Sequence, residues 1–211
     1  WVAPALAIEP VDARFHFNEA TRQLEPIQPG QDGRALDVES SLTRVMAALA
    51  SGERYVPLVL QAVPPRYPAT ATAEATGIVE LVAEGDSYFI GSPTGRDHNI
   101  RLAATKFDGI VIPPGETFSF NHFLGEVTAE AGYDEAYVTA GEQLAIEVGG
   151  GICQVSTTAF RAAFWGGYPI VERWAHTHRI GYYELMDAGV GMDATVYSPY
   201  VDFQFVNDRP Y

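Results

Sequence analysis

The sequence contains a single cysteine, Cys153, among 211 residues. One thiol excludes an intrachain disulfide, a zinc ribbon and a cysteine-rich scaffold, and it leaves the redox compartment open. The chain also lacks an uninterrupted apolar run of the roughly 18 residues that a membrane-spanning helix needs. Basic residues are scarce, with 13 Lys and Arg against 27 Asp and Glu and a net charge of −14. Because this charge repels phosphate backbones, we expect no nucleic-acid binding.

The rest of the composition is that of a globular protein, with 47% hydrophobic and 12% aromatic residues. The length fits one large domain or two small ones. The sequence begins at Trp1, and we interpret it as a trimmed chain or a mature ectodomain from which any signal peptide has been removed. We therefore expect membrane contact only through an anchor that lies outside this chain.

Residues 1–65 are predicted to form a small β-β-α-β module. Phe15 and Phe17 alternate with polar neighbours, as in a half-buried strand. Asp37 is a predicted helix N-cap, apolar residues follow it at helical spacing, and Gly52 ends the helix. A β-rich segment then closes the module.

Residues 66–77 are rich in Pro, Ala and Thr and are predicted to be a linker. Residues 78–211 are predicted to form a second, mixed domain that starts with a β-hairpin over residues 78–90. The predicted fold class is therefore α+β, with two modules.

The most unusual segment runs from Gly149 to Thr158 and reads GGGICQVSTT. Three consecutive glycines have a large entropy cost on ordering, so they indicate a loop with positive φ or close approach of a ligand to the backbone. Apolar residues at helical spacing follow, which places Cys153 at a helix N-terminus. The partial positive charge there favours the thiolate, and free amides of the first turn could stabilise an oxyanion. The alternative is a small buried cysteine without reactivity.

A nucleophilic cysteine needs a base. His176 and His178 follow a β-like segment, and in an extended chain both imidazoles point to the same face. Either could act as the base, and both could instead hold zinc together with Cys153. For each histidine, the alternative is a purely structural role.

The base in turn needs a group that accepts its N–H and fixes its tautomer. Four carboxylate or amide side chains are candidates: Asn121, Glu147, Glu172 and Asp193. Arg96 and Arg173 could bind a carboxylate of a substrate through bidentate contacts, or could pair with neighbouring acids.

From about residue 96 to residue 207, the sequence resembles the VanW domain family. The resemblance rests on motifs in the same order: Arg96-x-x-Asn99-Ile100, Pro114-Gly115-Glu116-Thr117-Phe118-Ser119-Phe120-Asn121, Gly132-Tyr133, the segment from Gly149 to Thr158, Val171-Glu172-Arg173-x-x-His176, and Asp193-Ala194-Thr195-Val196. Over roughly residues 12–65, the sequence is similar to a peptidoglycan-binding module that often precedes VanW and L,D-transpeptidase domains.

The resemblance implies an extracytoplasmic protein of the bacterial cell envelope, with peptidoglycan stem peptides as its partners. It also implies a cysteine-dependent L,D-transpeptidase, in which Cys153 is the nucleophile, His176 is the base, and Arg173 and Asn121 lie around them. His178 and Trp174 fall outside the family pattern, and residues 183–190 form a longer stretch than the pattern has. These departures leave the assignment of the base open to His178.

We therefore predict an acyl transfer that needs no cofactor and no metal. The predicted catalytic residues are Cys153, His176 and His178, with Asp193 as the orienting group. The predicted substrate-binding residues are Gly149, Gly150, Gly151, Arg173, Asn121 and Arg96. The alternatives are a cysteine hydrolase of stem peptides and a non-catalytic module that binds peptidoglycan or assists glycopeptide resistance.

Overall fold

The computed structural model describes residues 2–140, 143–185 and 188–210. The chain divides into two compact units. The first comprises the chain up to Val79 together with Gly109–Val111, and the second comprises Glu80–Asp108 and the chain from Ile112 onward. Among the described residues, no helix has both the length and the apolar character that crossing a bilayer requires.

The first unit consists of short helices and two antiparallel strand pairs, β1 with β2 and β3 with β4. Its elements in chain order are α1 (Val2–Leu6), β1 (Arg14–Asn18), β2 (Gln23–Gln28), β3 (Gly33–Leu36), α2 (Val38–Ser51), β4 (Leu60–Val63) and α3 (Ala73–Thr76). The predicted limits of α2 are confirmed. The Asp37 carboxylate accepts the Ser40 backbone N–H at 2.9 Å, and Gly52 ends the helix at a positive φ of 76°.

The predicted α+β class is confirmed, because the described elements are helices and small antiparallel sheets. The first unit adds α1 and one further strand to the predicted β-β-α-β order. Residues 66–77, predicted as a linker, lie within the first unit and contain α3, whose Ala73 is buried. The single turn of α3 begins where the Thr72 hydroxyl accepts the Ala75 backbone N–H.

The second unit combines a three-stranded sheet, a two-stranded ribbon and one long helix. Its elements are α4 (Thr94–Thr105), β5 (Thr117–Ser119), α5 (Phe120–Leu124), β6 (Glu135–Ala140), β7 (Gln143–Val148), α6 (Ile152–Trp165), β8 (Ile170–Glu172), a 3-10 helix (Gly181–Glu184) and β9 (Gln204–Val206). The sheet has the order β5-β9-β8, and β6 pairs with β7; all of these pairings are antiparallel. The predicted helix after the glycine triplet is confirmed as α6.

The core of the second unit is aromatic. Phe118 and Phe203 are almost fully buried, and their ring centroids lie 5.9 Å apart. Phe160 of α6 meets Phe203 edge to face at 5.8 Å. Ring pairs at these distances gain stability beyond the area that they bury. The sheet and α6 are therefore joined by a packed aromatic cluster, which fixes the helix that carries Cys153.

The predicted hairpin over residues 78–90 is wrong: these residues are all described and contain no strand. Side chains of α6 bind this segment instead. Arg161 donates to the Asp86 carbonyl at 2.6 Å, and Gln154 donates to the Tyr88 carbonyl at 3.3 Å. Because α6 supplies partners for these backbone groups, the segment follows the helix rather than pairing with itself.

Candidate active site

The glycine triplet forms the turn between β7 and α6. Gly149 and Gly151 have positive φ values of 89° and 113°. A Cβ at Gly149 would overlap the Val127 side chain, one at Gly150 would lie 2.7 Å from the Tyr137 carbonyl oxygen, and one at Gly151 would lie 2.9 Å from Arg96 Cγ. The triplet is therefore required by packing and backbone conformation, and its predicted contact with substrate stays a prediction.

Cys153 lies in the first turn of α6 and is half-buried. Its sulfur lies 3.5 Å from Thr195 Oγ1 and 3.6 Å from the Val196 carbonyl oxygen. The His176 side chain also forms a hydrogen bond with the thiol. No side chain caps the N-terminus of α6. Two N–H groups of this first turn are bonded within the backbone, because Ile152 donates to the Gly149 carbonyl at 3.2 Å and Gln154 donates to the Gly151 carbonyl at 2.9 Å.

His176 is oriented by Asp193. The imidazole Nδ1 lies 2.5 Å from Asp193 Oδ2, and the His176 backbone N–H donates to the same oxygen at 2.9 Å. The two side chains are 8% and 13% exposed, so water competes little for this contact. Since Nδ1 is engaged by the carboxylate, Nε2 is the ring nitrogen left for the thiol. Cys153, His176 and Asp193 therefore form a chain of nucleophile, imidazole and carboxylate.

The pairing of two chain segments explains why His176 and Asp193 meet. Trp174 and Thr195 form an antiparallel bridge, in which the Thr195 N–H donates to the Trp174 carbonyl at 2.8 Å. In this register, the residue opposite 176 is 193. Directly opposed residues share one face of an antiparallel pair, so the imidazole meets the carboxylate, and the imidazole and the Thr195 hydroxyl both contact the Cys153 thiol.

The segment that carries Asp193 is anchored on α6. Ser156 Oγ donates to the Ala194 carbonyl at 2.6 Å, and the Ala194 N–H donates to Thr157 Oγ1 at 3.1 Å; all three residues are buried. Arg173 fixes the same segment, because its Nε donates to the Asp193 carbonyl at 2.7 Å and its Nη2 lies 3.5 Å from Asp193 Oδ1. Arg173 thus supports the carboxylate of the cluster.

The charges of the cluster stabilise one another. Burial raises the pKa of the Cys153 thiol, but the hydrogen bond and positive charge of His176 outweigh it and hold that pKa below its ordinary value. Burial lowers the pKa of His176, but the contacts with Asp193 and Cys153 raise it to about 9. Burial raises the pKa of Asp193, but its contacts with His176 and then Arg173 lower it. Each charge therefore stabilises the other, so the pair favours thiolate with imidazolium more than either group would alone.

A second layer of polar residues surrounds the cluster. Arg96 Nη2 donates to Gln154 Oε1 at 2.8 Å and to the Tyr182 hydroxyl at 3.2 Å. The Arg96 guanidinium also lies 5.1 Å from the Tyr182 ring centroid. The Tyr183 ring lies 5.5 Å from the His176 ring, and burial raises the pKa of Tyr183 well above its usual range. Arg96 therefore places a positive charge beside α6, and Tyr183 forms a neutral wall behind the imidazole.

Other predicted site residues have partners outside the cluster. Asn121 donates to the Val201 carbonyl at 2.9 Å, and the Glu172 carboxylate accepts from the Trp174 indole and from the Asp202 backbone N–H. His178 is exposed, as is Glu147 on β7. The structure therefore joins Cys153 with His176 and Asp193, and it places His178 and Asn121 elsewhere.

Sequence reasoning missed Thr195, Tyr183 and Gln154 as neighbours of the cluster. Their only local signals were the positions of Thr195 and Gln154 within the quoted motifs. Among the described residues, no group of three or more His, Cys, Asp or Glu side chains could hold a metal ion. The alternative of a zinc site on Cys153, His176 and His178 therefore has no support from the geometry.

Two family models match the chain. The model described as "VanW like protein" matches residues 95–211. The model described as "Putative peptidoglycan binding domain" matches residues 2–56. The first covers all three residues of the cluster, and the second covers most of the first unit.

Two curated relatives are similar to this chain. The Uncharacterized protein YoaR of Bacillus subtilis is 43% identical over 121 residues, which are 57% of this chain and 38% of that protein. The Vancomycin B-type resistance protein VanW of Enterococcus faecalis is 31% identical over 136 residues, which are 61% of this chain and 50% of that protein. The chain thus spans half or less of the length of these relatives. No solved structure matches the chain significantly.

Proposed function

The chain belongs to the VanW-like protein family, and from this premise we propose that it acts on peptidoglycan in the bacterial cell envelope as a cysteine-dependent L,D-transpeptidase. The observation that carries the proposal is the hydrogen-bonded chain from Cys153 through His176 to Asp193. A match of residues 2–56 to a peptidoglycan-binding model supports the substrate. The proposed location is extracytoplasmic, where that polymer lies.

In the first step, the Cys153 thiolate attacks the carbonyl carbon of the peptide bond that links an L-configured centre to the terminal D-alanine of a stem tetrapeptide. The carbonyl oxygen gains the negative charge, and the Cys153 backbone N–H at the N-terminus of α6 is the proposed group that stabilises it. When the tetrahedral intermediate collapses, the C–N bond breaks and the His176 imidazolium gives its proton to the leaving amine. Free D-alanine departs, and a thioester on Cys153 remains.

In the second step, the side-chain amine of a neighbouring stem attacks the thioester carbonyl. His176, now neutral, takes a proton from this amine, and the C–S bond breaks as the new amide forms. The thiolate and the imidazolium are thereby restored. Asp193 stays ionised throughout and stabilises the imidazolium, as the carboxylate of a catalytic triad does.

The second layer suggests how the donor stem is held. Arg96 contacts Gln154, the residue that follows Cys153, and is half-buried beside the exposed Tyr182. Its guanidinium is the proposed partner of a stem carboxylate, through a charge-assisted contact. Arg173 is not assigned this role, because it binds the backbone around Asp193.

A second candidate is a non-catalytic role in binding peptidoglycan or in assisting glycopeptide resistance. Two observations favour it: the match of residues 2–56 to a peptidoglycan-binding model and the printed name of the Enterococcus faecalis relative. A hydrolase, with water in place of the acceptor amine, would use the same cluster. Products of the reaction distinguish the three functions.

The proposal is tested by incubating the protein with purified disaccharide-tetrapeptide and identifying the products by liquid chromatography and mass spectrometry. A transpeptidase yields a cross-linked dimer and free D-alanine, and Cys153→Ala yields neither. Free D-alanine with uncoupled tripeptide would identify a hydrolase. Unchanged substrate with retained binding would overturn catalysis and leave the binding function.

A further inference from the structure

Three exposed aromatic side chains belong to the two chain segments that carry His176 and Asp193, and they take no part in the proposed chemistry. Trp174 is 57% exposed, Tyr197 is 64% exposed and Tyr200 is 80% exposed. Large aromatic side chains gain free energy when water is removed from their faces. Three such side chains in one short region of the surface therefore need an explanation.

The register of the Trp174–Thr195 bridge places two of them with the cluster. Trp174 lies directly opposite Thr195, so the two side chains share one face, and Thr195 Oγ1 on that face lies 3.5 Å from the Cys153 sulfur. Tyr197 is two residues beyond Thr195, and alternate residues of an extended segment return to the same face. The aromatic surface is therefore continuous with the site of the nucleophile.

Hydrogen bonds fix the indole of Trp174 and the backbone that carries Tyr197 and Tyr200. The Trp174 indole N–H donates to Glu172 Oε1 at 2.9 Å. Tyr197 and Val201 exchange backbone hydrogen bonds of 2.8 Å, and the Tyr200 N–H donates to the Tyr197 carbonyl at 2.7 Å. The Tyr197 and Tyr200 rings are near parallel, at 20° with centroids 6.3 Å apart. A preorganised surface loses less entropy when it binds.

We propose that Trp174, Tyr197 and Tyr200 form a binding site for the pyranose rings of a glycan strand, beside the site at which Cys153 acts on the attached stem peptide. This inference rests on the proposed function, since it concerns the sugar part of the same polymer. It assigns a role to Trp174, which lies outside the VanW motif pattern.

The chemistry of the surface favours a sugar over a charged or purely apolar ligand. A pyranose ring presents C–H groups on its faces, which pack on aromatic rings, and polar groups at its edge. The aromatic rings supply the faces, and the two tyrosine hydroxyls can donate and accept at the edge. None of the three side chains is charged, and the nearby Glu172 carboxylate is already engaged by Trp174 and by the Asp202 backbone N–H. This surface therefore fits an uncharged ligand. The protein's net charge of −14 also disfavours an anionic one.

The test uses chitotetraose, a soluble chain of β-1,4-linked N-acetylglucosamine, titrated into the Cys153→Ala protein. Binding is measured by calorimetry and by NMR shifts of the indole N–H groups. We expect Trp174→Ala to weaken binding about tenfold or more, which is about 1.4 kcal/mol and within the reach of one stacked ring. Tyr197→Ala is expected to weaken it as well. The matched control is Trp165→Ala, since Trp165 is 58% exposed at the opposite end of α6 and should leave binding unchanged.

Each outcome decides the inference. The inference would be overturned if chitotetraose did not bind. It would also be overturned if chitotetraose bound equally to the protein with Trp174 and to Trp174→Ala. Self-association that disappears in Trp174→Ala would also overturn it, because the surface would then bind a second copy of the chain. If the protein binds the sugar but never forms a thioester, the proposed catalysis is wrong and the glycan site is still supported. For Trp174→Ala, we expect sugar binding to be lost while acylation by a sugar-free stem peptide is retained.

Discussion

Replacement of Asp193 by Asn removes the charge that orients and stabilises the His176 imidazolium. In the protein, one carboxylate oxygen lies 2.5 Å from Nδ1 and also accepts the His176 backbone N–H at 2.9 Å. Asparagine keeps the size of the side chain and retains one acceptor oxygen, so the backbone contact can persist. The substitution therefore tests the charge with little change of shape.

The expected magnitude follows from the pKa of His176. The contacts with Asp193 and Cys153 raise that pKa from its ordinary value of 6.5 to about 9. At about pH 7.5 the wild-type imidazole is therefore almost fully protonated. In Asp193→Asn the buried imidazole keeps only the Cys153 contact, and a fall of its pKa to about 6.5 would leave about one tenth of it protonated. We expect Asp193→Asn to lower the rate of Cys153 acylation at this pH about tenfold or more, because the thiolate loses its counter-ion and the leaving amine loses its proton donor.

The assay is the pH dependence of Cys153 alkylation by iodoacetamide, with the thiolate absorbance as a second readout. The wild-type thiolate should persist below the ordinary range of a thiol, and its titration should shift to higher pH in Asp193→Asn. The control is Asp202→Asn, which also removes a buried carboxylate but one that contacts Ser119 and Asn121. An unchanged titration in Asp193→Asn would show that the carboxylate does not stabilise the pair of His176 and Cys153.

Four further measurements test other parts of the account. His178→Ala should leave the thiolate titration and the products unchanged, since this side chain is exposed outside the cluster; loss of activity would make it the base. Gly149→Ala should reduce the free energy of unfolding by about 3 kcal/mol, through overlap with Val127 and a positive φ, and an unchanged thermal midpoint would contradict this. Ser156→Ala removes a buried hydrogen bond and should cost about 1–3 kcal/mol in urea unfolding, against no change if the anchor is dispensable. The raised pKa of His176 contributes on the order of 3 kcal/mol to the free energy of unfolding. This contribution is complete below about pH 6.5 and is lost as the pH rises through about 9. The unfolding free energies of wild type and His176→Gln should therefore converge across this range.

Helices α2 and α6 were predictable from local signals, and one strand prediction failed for a non-local reason. The α2 cap at Asp37 and the start of α6 after the glycines depend on residues adjacent in sequence. Residues 78–90 have hairpin-like composition, but Arg161 and Gln154 bind their carbonyls from more than 60 residues away. No local pattern contains that information. The β6–β7 ribbon was missed, although apolar residues such as Tyr137 and Ile146 occur along both strands.

The sequence identified candidate residues for the site, but it did not show which of them contact one another. Sequence alone kept both His176 and His178 as bases, and it offered four candidates for the orienting group, of which Asp193 was the one predicted. The choice between them depends on the register that sets Trp174 opposite Thr195, which brings Asp193 to His176. A shift of one residue would turn both side chains to the other face. This register is maintained by buried contacts of α6 with Ala194, and the sequence of the segment itself does not encode them.

The central claim is that Cys153 is a nucleophile activated by His176. Its most direct test is the intact mass of the protein after brief incubation with a stem tetrapeptide, followed by acid quenching and peptide mapping. We expect an added mass equal to the tetrapeptide less D-alanine, located on Cys153 and strongly reduced in His176→Gln. A protein whose mass never changes under these conditions, while its thiol remains free, would contradict the account.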